Sequence, residues 1–250
     1  MASTVSSLPE IDRDAVNERF AQAQPQELLK WAAEQFGEGL VMTSSFGAQS
    51  AVSLHLVTQV IPDVPVVFID TGYLFDETYR FAMDLTDRLK LNLKVFRPRM
   101  TSAWMEAVHG RLWEQGEQEM ARYLQIVKIE PMQQALEELK VTAWIAGLRR
   151  GQTAHRASLR HVEVQDGRYK LHPILTWSTQ DVHEYLKKHD LPYHPLYEQG
   201  YASIGDVHST RRITADQHER EGRFSGLRQE CGLHLPSSQE ESQSRDSSSL

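Results

Sequence analysis

Cys231 is the only cysteine of this 250-residue chain, and its neighbours Arg228, Glu230, Gly232 and His234 make its setting polar. A structural cysteine would sit in an apolar run. A lone one cannot close an internal disulfide, which leaves an inert thiol, a cross-link to another chain or a reactive thiol. As a nucleophile it would need a lowered pKa, which Arg228, His234 or an arginine brought near by folding would supply. Upstream, Thr43-Ser-Ser-Phe-Gly-Ala-Gln-Ser50 joins hydroxyls and a glycine to the start of an expected helix. These hydroxyls, the glycine and the free amides of that helix suit a phosphate or sulfate oxyanion, although serines and a glycine also form tight turns for local reasons. The Gly-Lys-Ser/Thr ending of a Walker loop is missing.

The cations gather in two places. From Leu139 to Val162 there is no Asp or Glu, yet Lys140, Arg149, Arg150, Arg156 and Arg160 all occur. Arg149 and Arg150 leaving a strand together, with Arg156 close behind, suggest bidentate recognition of an anion. A second group, Arg211, Arg212, Arg220, Arg223 and Arg228, is interleaved with acids. Lys128 would add a point charge, a surface lysine being the plainer alternative. Asp70-Thr-Gly-Tyr73 puts Asp70, Thr71 and Tyr73 at a strand end, within reach of ribose hydroxyls or a base amine, or forms an Asx turn. The histidines have no metal-ligand spacing, so no metal site is expected.

A net charge of −7 argues against general nucleic-acid binding, so the local cationic block points to a small anionic ligand or to a solvated basic face. No apolar run approaches the roughly 18 residues of a membrane span. Met1–Glu10 lacks the basic and apolar regions of a signal peptide, and one cysteine without an export signal points to the reducing cytoplasm.

The elements that must position these residues alternate in type. Pro25–Phe36 reads as an amphipathic helix after a polar, weakly periodic segment over 1–25. Leu40–Thr43 is a short strand, Ala51–Val60 a helix and Val66–Ile69 a buried strand. A helix from about Glu77 to Lys90, the alternating strand Leu91–Phe96, a helix from Pro131 to Lys140 and the strand Val141–Ala146 follow. Val162–His172 reads as a hairpin around Asp166-Gly167, and Ser178–His189 as a helix whose N-cap Ser178 pairs with Asp181. Ser237–Leu250 has almost nothing to bury and is expected to be disordered. The alternation predicts an α/β fold with a mostly parallel, Rossmann-like sheet and helices on both faces, its ligands collecting at the carboxyl ends of the strands.

Taken in order, Ser44–Gln49, Asp70–Phe75, Lys128–Met132, Gly147–Arg150, Gly205–Arg211 and Glu230–His234 resemble the phosphoadenylyl-sulfate reductases of sulfate assimilation, of the thioredoxin-dependent bacterial type. The resemblance covers about Gly39 to His234. It implies a fold related to the ATP pyrophosphatases (adenine nucleotide alpha hydrolase-like), with a reductase domain over 26–215 and a mobile C-terminal arm over 216–236 that carries Cys231. The corresponding loop of those pyrophosphatases reads Ser-Gly-Gly-x-Asp-Ser, so Phe46 here replaces a glycine and Gln49 stands in place of the acid. Losing that carboxylate removes a use for magnesium and a repulsion toward sulfate.

The resemblance further implies that the Cys231 thiolate attacks the sulfur of phosphoadenylyl sulfate, leaving an S-sulfocysteine that thioredoxin or glutaredoxin reduces to release sulfite. Ser44, Ser45, Gln49, Lys128, Arg149, Arg150 and Arg156 would bind the anion. Asp70, Thr71 and Tyr73 would lie near the nucleoside, and His208, Arg211 and Arg212 would meet substrate or arm. A homodimer, with no bound cofactor, is also implied. Relatives that reduce adenylyl sulfate carry an iron–sulfur cluster on two cysteine pairs. The matching positions here are Tyr123 and Leu124, and Asp206 and Ser209, so all four thiolates are missing and a cluster is not expected. The rivals are a cluster-free adenylyl-sulfate reductase and a catalytically idle nucleotide-binding module.

Overall fold

The computed structural model describes residues 9–214, 220–224 and 232–233. Cys231, Arg228, His234 and the 237–250 tail lie outside the described residues, as does most of the 216–236 arm. The polar N-terminal segment carries a helix that its weak periodicity does not announce, α1 (Arg13–Phe20), capped by Asp12, whose carboxylate accepts from the amides of Asp14 and Ala15. Its Phe20 is in the core, and Asn17 exchanges two hydrogen bonds with the backbone of Val162. Next come α2 (Pro25–Phe36), β1 (Leu40–Thr43), α3 (Ser50–Val60), β2 (Pro65–Ile69), α4 (Asp76–Leu89) and β3 (Asn92–Phe96).

The chain then forms α5 (Ser102–His109) and α6 (Glu117–Leu124), neither anticipated, and α7 (Glu130–Glu138). Pro131 does not open a new helix. A π-turn, Gln125–Ile129, links α6 to α7, and the Glu130 amide reaches back five residues to the Gln125 carbonyl. That widened turn sits immediately before the proline, whose missing N–H already interrupts the ladder, and Lys128 lies within it. The chain closes with β4 (Ala143–Ala146), β5 (Val162–Gln165), β6 (Arg168–Leu171) and α8 (Thr179–Lys188). As expected, β5 and β6 form a hairpin turning at Asp166 and Gly167, both at positive φ, and Ser178 caps α8 with Asp181 answering it.

The six strands lie in the order β3-β2-β1-β4-β6-β5, parallel except that β5 runs antiparallel to β6. Period-two alternation splits their side chains between two cores. Met42, Val66, Phe68 and Ile145 pack on one face with α2, α3, α4 and α8, while Val41, Val67 and Trp144 pack on the other with Met132, Ala135 and Leu136 of α7. Both faces are covered, as the alternation predicts. From β1 the chain winds outward through β2 and β3, then crosses to β4 on the other side. The order therefore reverses between β1 and β4, and a crevice opens at their carboxyl ends. No helix among the described residues is long and apolar enough to cross a membrane.

Candidate active site

A cavity occupies that crevice. The loop leaving β1 forms one rim through Ser44, Ser45, Gly47, Gln49 and Ser50, and the segment after β4 forms the opposite rim through Arg149, Gln152 and Arg156. Lys128, Thr71, Gly205, Arg220, Arg223 and Leu233 complete the polar wall and mouth over an apolar floor that includes Met132, Trp144 and Ile174.

The β1 loop is held tightly. The Ser44 amide extends the sheet by donating to Val67 O at 3.0 Å, and the Phe46 amide donates to Ser44 Oγ at 3.1 Å. Phe46 takes φ 48°, a left-handed conformation that glycine adopts freely and a bulky residue does not. Its ring is wholly buried edge-on to Phe68, which explains how the loop keeps a backbone shape suited to glycine without one. The start of α3 faces the cavity, so the positive end of its dipole and its first amides are directed there. Gly147 permits this approach, because a Cβ there would lie 2.4 Å from Ser53 Oγ.

Two buried arginines line the rim after β4, and amides orient both. Arg149 Nη2 donates to Gln49 Oε1 at 2.7 Å and Nη1 to Thr179 Oγ1 at 3.3 Å. Gln152 Oε1 accepts from the Arg149 amide at 3.2 Å and from Arg156 Nη1. Contacts of this kind fix a guanidinium without cancelling its charge. Arg149 has extended backbone, so Arg150 points the other way. It is exposed, donates from Nε to Leu159 O at 3.1 Å and does not line the cavity.

The opposite wall is built differently. Lys128 Nζ lies 2.9 Å from Asp206 Oδ2, and Asp206 is completely buried. Thr71 Oγ1 donates to Asp206 Oδ1 at 2.7 Å and Tyr123 OH to Oδ2 at 3.1 Å. Burial pushes the Asp206 carboxyl up, but the Lys128 charge and hydrogen bond, Thr71 and Arg223 together outweigh it and hold the pKa at about 2. Burial and the Asp206 charge push the Tyr123 hydroxyl far up, so it stays a donor. That proton serves Asp206, so the 2.9 Å contact between Tyr123 OH and His208 Nε2 makes Nε2 the protonated nitrogen of a neutral imidazole. His208 stacks on Trp113, and burial lowers its pKa to about 4, so it brings no charge at neutral pH.

The structure thus gathers Ser44, Ser45, Gln49, Thr71, Lys128, Arg149 and Arg156 around one cavity, whereas Asp70, Tyr73, Arg150, His208, Arg211 and Arg212 do not line it. Asp70 forms the Asx turn, accepting from the Gly72 amide at 3.0 Å, and also takes Tyr79 OH at 2.7 Å and Arg97 Nε at 2.8 Å. Tyr73 OH donates to Glu106 Oε1 at 2.9 Å, and burial followed by that carboxylate raises its pKa to about 12. Arg211 and Arg212 are exposed, the latter over the Tyr201 ring.

Sequence reasoning missed Gln152, Ser203 and Gly205 in the lining, and Asp206 beneath it. A Cβ on Gly205 would collide with the Arg223 guanidinium, so only glycine lets Arg223 lie against that strip of backbone. The four positions at which the resemblance would align cysteines of cluster-bearing relatives fall into two pairs, 123–124 and 206–209. The pairs meet through the Tyr123–Asp206 hydrogen bond. Their donor set is a phenol, a carboxylate committed to Lys128 and a hydroxyl, which does not fit an iron–sulfur cluster. Among the described residues, no three His, Cys, Asp or Glu side chains converge as metal ligands.

Comparison with known proteins places this geometry in a family. The family model described as Phosphoadenosine phosphosulfate reductase domain matches residues 39–212. A Synechocystis sp. protein named Phosphoadenosine 5'-phosphosulfate reductase is 54% identical over 246 residues, covering 98% of this chain and 99% of its own length. A crystal structure of phosphoadenylyl-sulfate (PAPS) reductase from Candida auris, a phosphate complex, superposes with a TM-score of 0.73 at 31% identity, over 82% of this chain and all of that one. Candida glabrata FMN adenylyltransferase, at 18% identity, a TM-score of 0.53 and coverage of 86% of this chain and 74% of its own, shares the fold alone. With its mostly parallel sheet, its cationic crevice and a family match spanning most of its length, the chain belongs to the phosphoadenosine phosphosulfate reductase family.

Proposed function

We propose that this protein reduces 3'-phosphoadenylyl sulfate to sulfite and adenosine 3',5'-bisphosphate, with Cys231 as nucleophile and thioredoxin or glutaredoxin as electron donor. The observation that carries the reading is the convergence of the β1 loop, the start of α3, Arg149, Arg156 and Lys128 on one crevice, with Leu233 at its edge. A strongly anionic phosphosulfate would meet amide donors and guanidiniums there at low dielectric. The Candida auris relative, which takes up phosphate, supports an oxyanion-binding role for the family.

In the proposed sequence, the Cys231 thiolate forms an S–S bond to the sulfate sulfur as the S–O bond to the nucleotide phosphate breaks. The electron pair leaves on adenosine 3',5'-bisphosphate, whose developing charge the arginines stabilise. A donor thiolate then attacks Cys231 Sγ and expels sulfite, forming a mixed disulfide. The donor's second thiol closes its own disulfide and returns the Cys231 thiolate, so the dithiol supplies both electrons. One cysteine suffices because the resolving thiol belongs to the partner. Work without an iron–sulfur cluster, a cytoplasmic location and a homodimer belong to the same proposal, the last resting on the family resemblance.

Sulfite release by metal-free protein with reduced thioredoxin tests it, phosphoadenylyl sulfate and adenylyl sulfate being compared side by side. Release from the phosphorylated substrate alone is expected. Equal turnover of adenylyl sulfate would favour the cluster-free rival, and binding without any sulfite would favour the idle module.

A further inference from the structure

Lys170 is buried to 1% exposure on β6, yet it does not line the cavity and the proposed chemistry has no use for it. Its Nζ lies 4.5 Å from the centre of the Trp144 ring, Trp144 being its register partner on β4. It donates to Gln165 Oε1 at 2.7 Å across the hairpin. An ammonium only donates, so the Gln165 oxygen must face Lys170 and the amide NH2 must face the other way. That NH2 donates to the Leu233 carbonyl at 3.2 Å. Leu233 packs against the core that contains Leu148, Leu159 and Leu175, and lines the cavity. Between Leu233 and Cys231 stands Gly232 at φ 87°, a conformation that a side chain would strain.

We propose that Gln165, its amide oriented by Lys170, is a positioning residue that fixes Leu233 on the β5–β6 hairpin, two positions along the chain from the nucleophile Cys231. The hairpin lies at the sheet end away from β3, and neither Gln165 nor Lys170 lines the cavity, so their contribution is separable from anion binding. The inference rests on Cys231 being the nucleophile.

Two substitutions separate anchoring from mere support of Lys170. Gln165→Leu removes the contacts to Lys170 and to Leu233, whereas Gln165→Glu keeps an acceptor for Lys170 but has no proton for the Leu233 carbonyl. Single-turnover S-sulfonation of Cys231, adenosine 3',5'-bisphosphate affinity and hydrogen–deuterium exchange of the Leu233-containing peptide are read for each, with Leu233→Ala alongside. Both Gln165 variants should slow S-sulfonation roughly fivefold, as expected for one lost hydrogen bond, and speed exchange while leaving bisphosphate affinity unchanged. A wild-type rate and wild-type exchange for Gln165→Glu would overturn the proposal, even if Gln165→Leu were slow or unfolded. Should the wild type form no S-sulfonate, the nucleophile reading fails, and the exchange data still decide whether Gln165 anchors the segment.

Discussion

Among the described residues, the two walls of the cavity hold their cations by different means. On one, the amides of Gln49 and Gln152 and the Thr179 hydroxyl orient Arg149 and Arg156. On the other, Lys128 rests on the carboxylate of Asp206, itself fixed by Thr71 and Tyr123. An amide positions a cation and leaves its field intact. A carboxylate positions it and cancels that field, while its own burial makes the pair part of the fold's stability. The hydrogen bonds to Gln49, Gln152 and Thr179 thus aim the arginines at the cavity, while the Asp206 carboxylate ties Lys128 into the fold. Losses on the first should appear mainly in turnover, and losses on the second mainly in folding.

The sharpest break of this contrast comes from truncating each cation. Lys128→Ala strands a fully buried carboxylate and should cost about 3–5 kcal/mol in denaturant unfolding. Arg149→Ala should instead lower kcat/KM by two to three orders of magnitude, roughly what one lost oxyanion donor costs, with a much smaller change in the unfolding midpoint. Similar stability losses from the two would remove the distinction.

Gln49→Glu sharpens the comparison, because it makes the arginine wall resemble the lysine wall. A carboxylate beside Arg149 should lower kcat/KM roughly tenfold by cancelling charge and repelling the substrate, with the melting temperature unchanged or raised.

Acid titration of stability separates the walls again. The folded pKa of Asp206, about 2, lies below the ordinary value of about 3.9, so its ionised form favours folding. That contribution is complete above roughly pH 5 and fades as pH falls through 4 toward 2, amounting to about 2–3 kcal/mol. In Asp206→Asn the unfolding free energy should lose that part of its slope, whereas Arg149 and Arg156 variants should keep it.

The smallest effect is expected at His208, outside the cavity and neutral above its pKa of about 4. His208→Asn should cost about 1 kcal/mol through the lost Tyr123 contact and Trp113 stacking. It should leave bisphosphate affinity nearly unchanged between pH 6 and 8, as read by calorimetry.

What the sequence made legible follows from how local each signal is. β1, the β5–β6 hairpin and the cap of α8 rest on residues a few positions apart, and their ranges fall where the pattern puts them. Strand-end loops mark the crevice because α/β alternation fixes which end of the sheet is open. The π-turn was hidden because Pro131 mimics a helix start, and the proline's lost hydrogen bond is absorbed upstream. The lysine wall was hidden by distance along the chain, since Asp206 binds Thr71 from 135 positions away. Asp206 registered only as a missing cysteine, when its placement opposite Lys128 was the informative part. Arg149 and Arg150 were indistinguishable in sequence, and only the extended backbone at Arg149 turns one into the cavity and the other out.

The most direct test of the account is a single turnover without an electron donor. Protein is mixed with one equivalent of phosphoadenylyl sulfate, and both the Cys231 peptide mass and the released nucleotide are measured. The account predicts stoichiometric adenosine 3',5'-bisphosphate, an S-sulfonated Cys231 and no sulfite until reduced thioredoxin is added. Sulfite appearing with Cys231 never modified, or full turnover by Cys231→Ser, would contradict it.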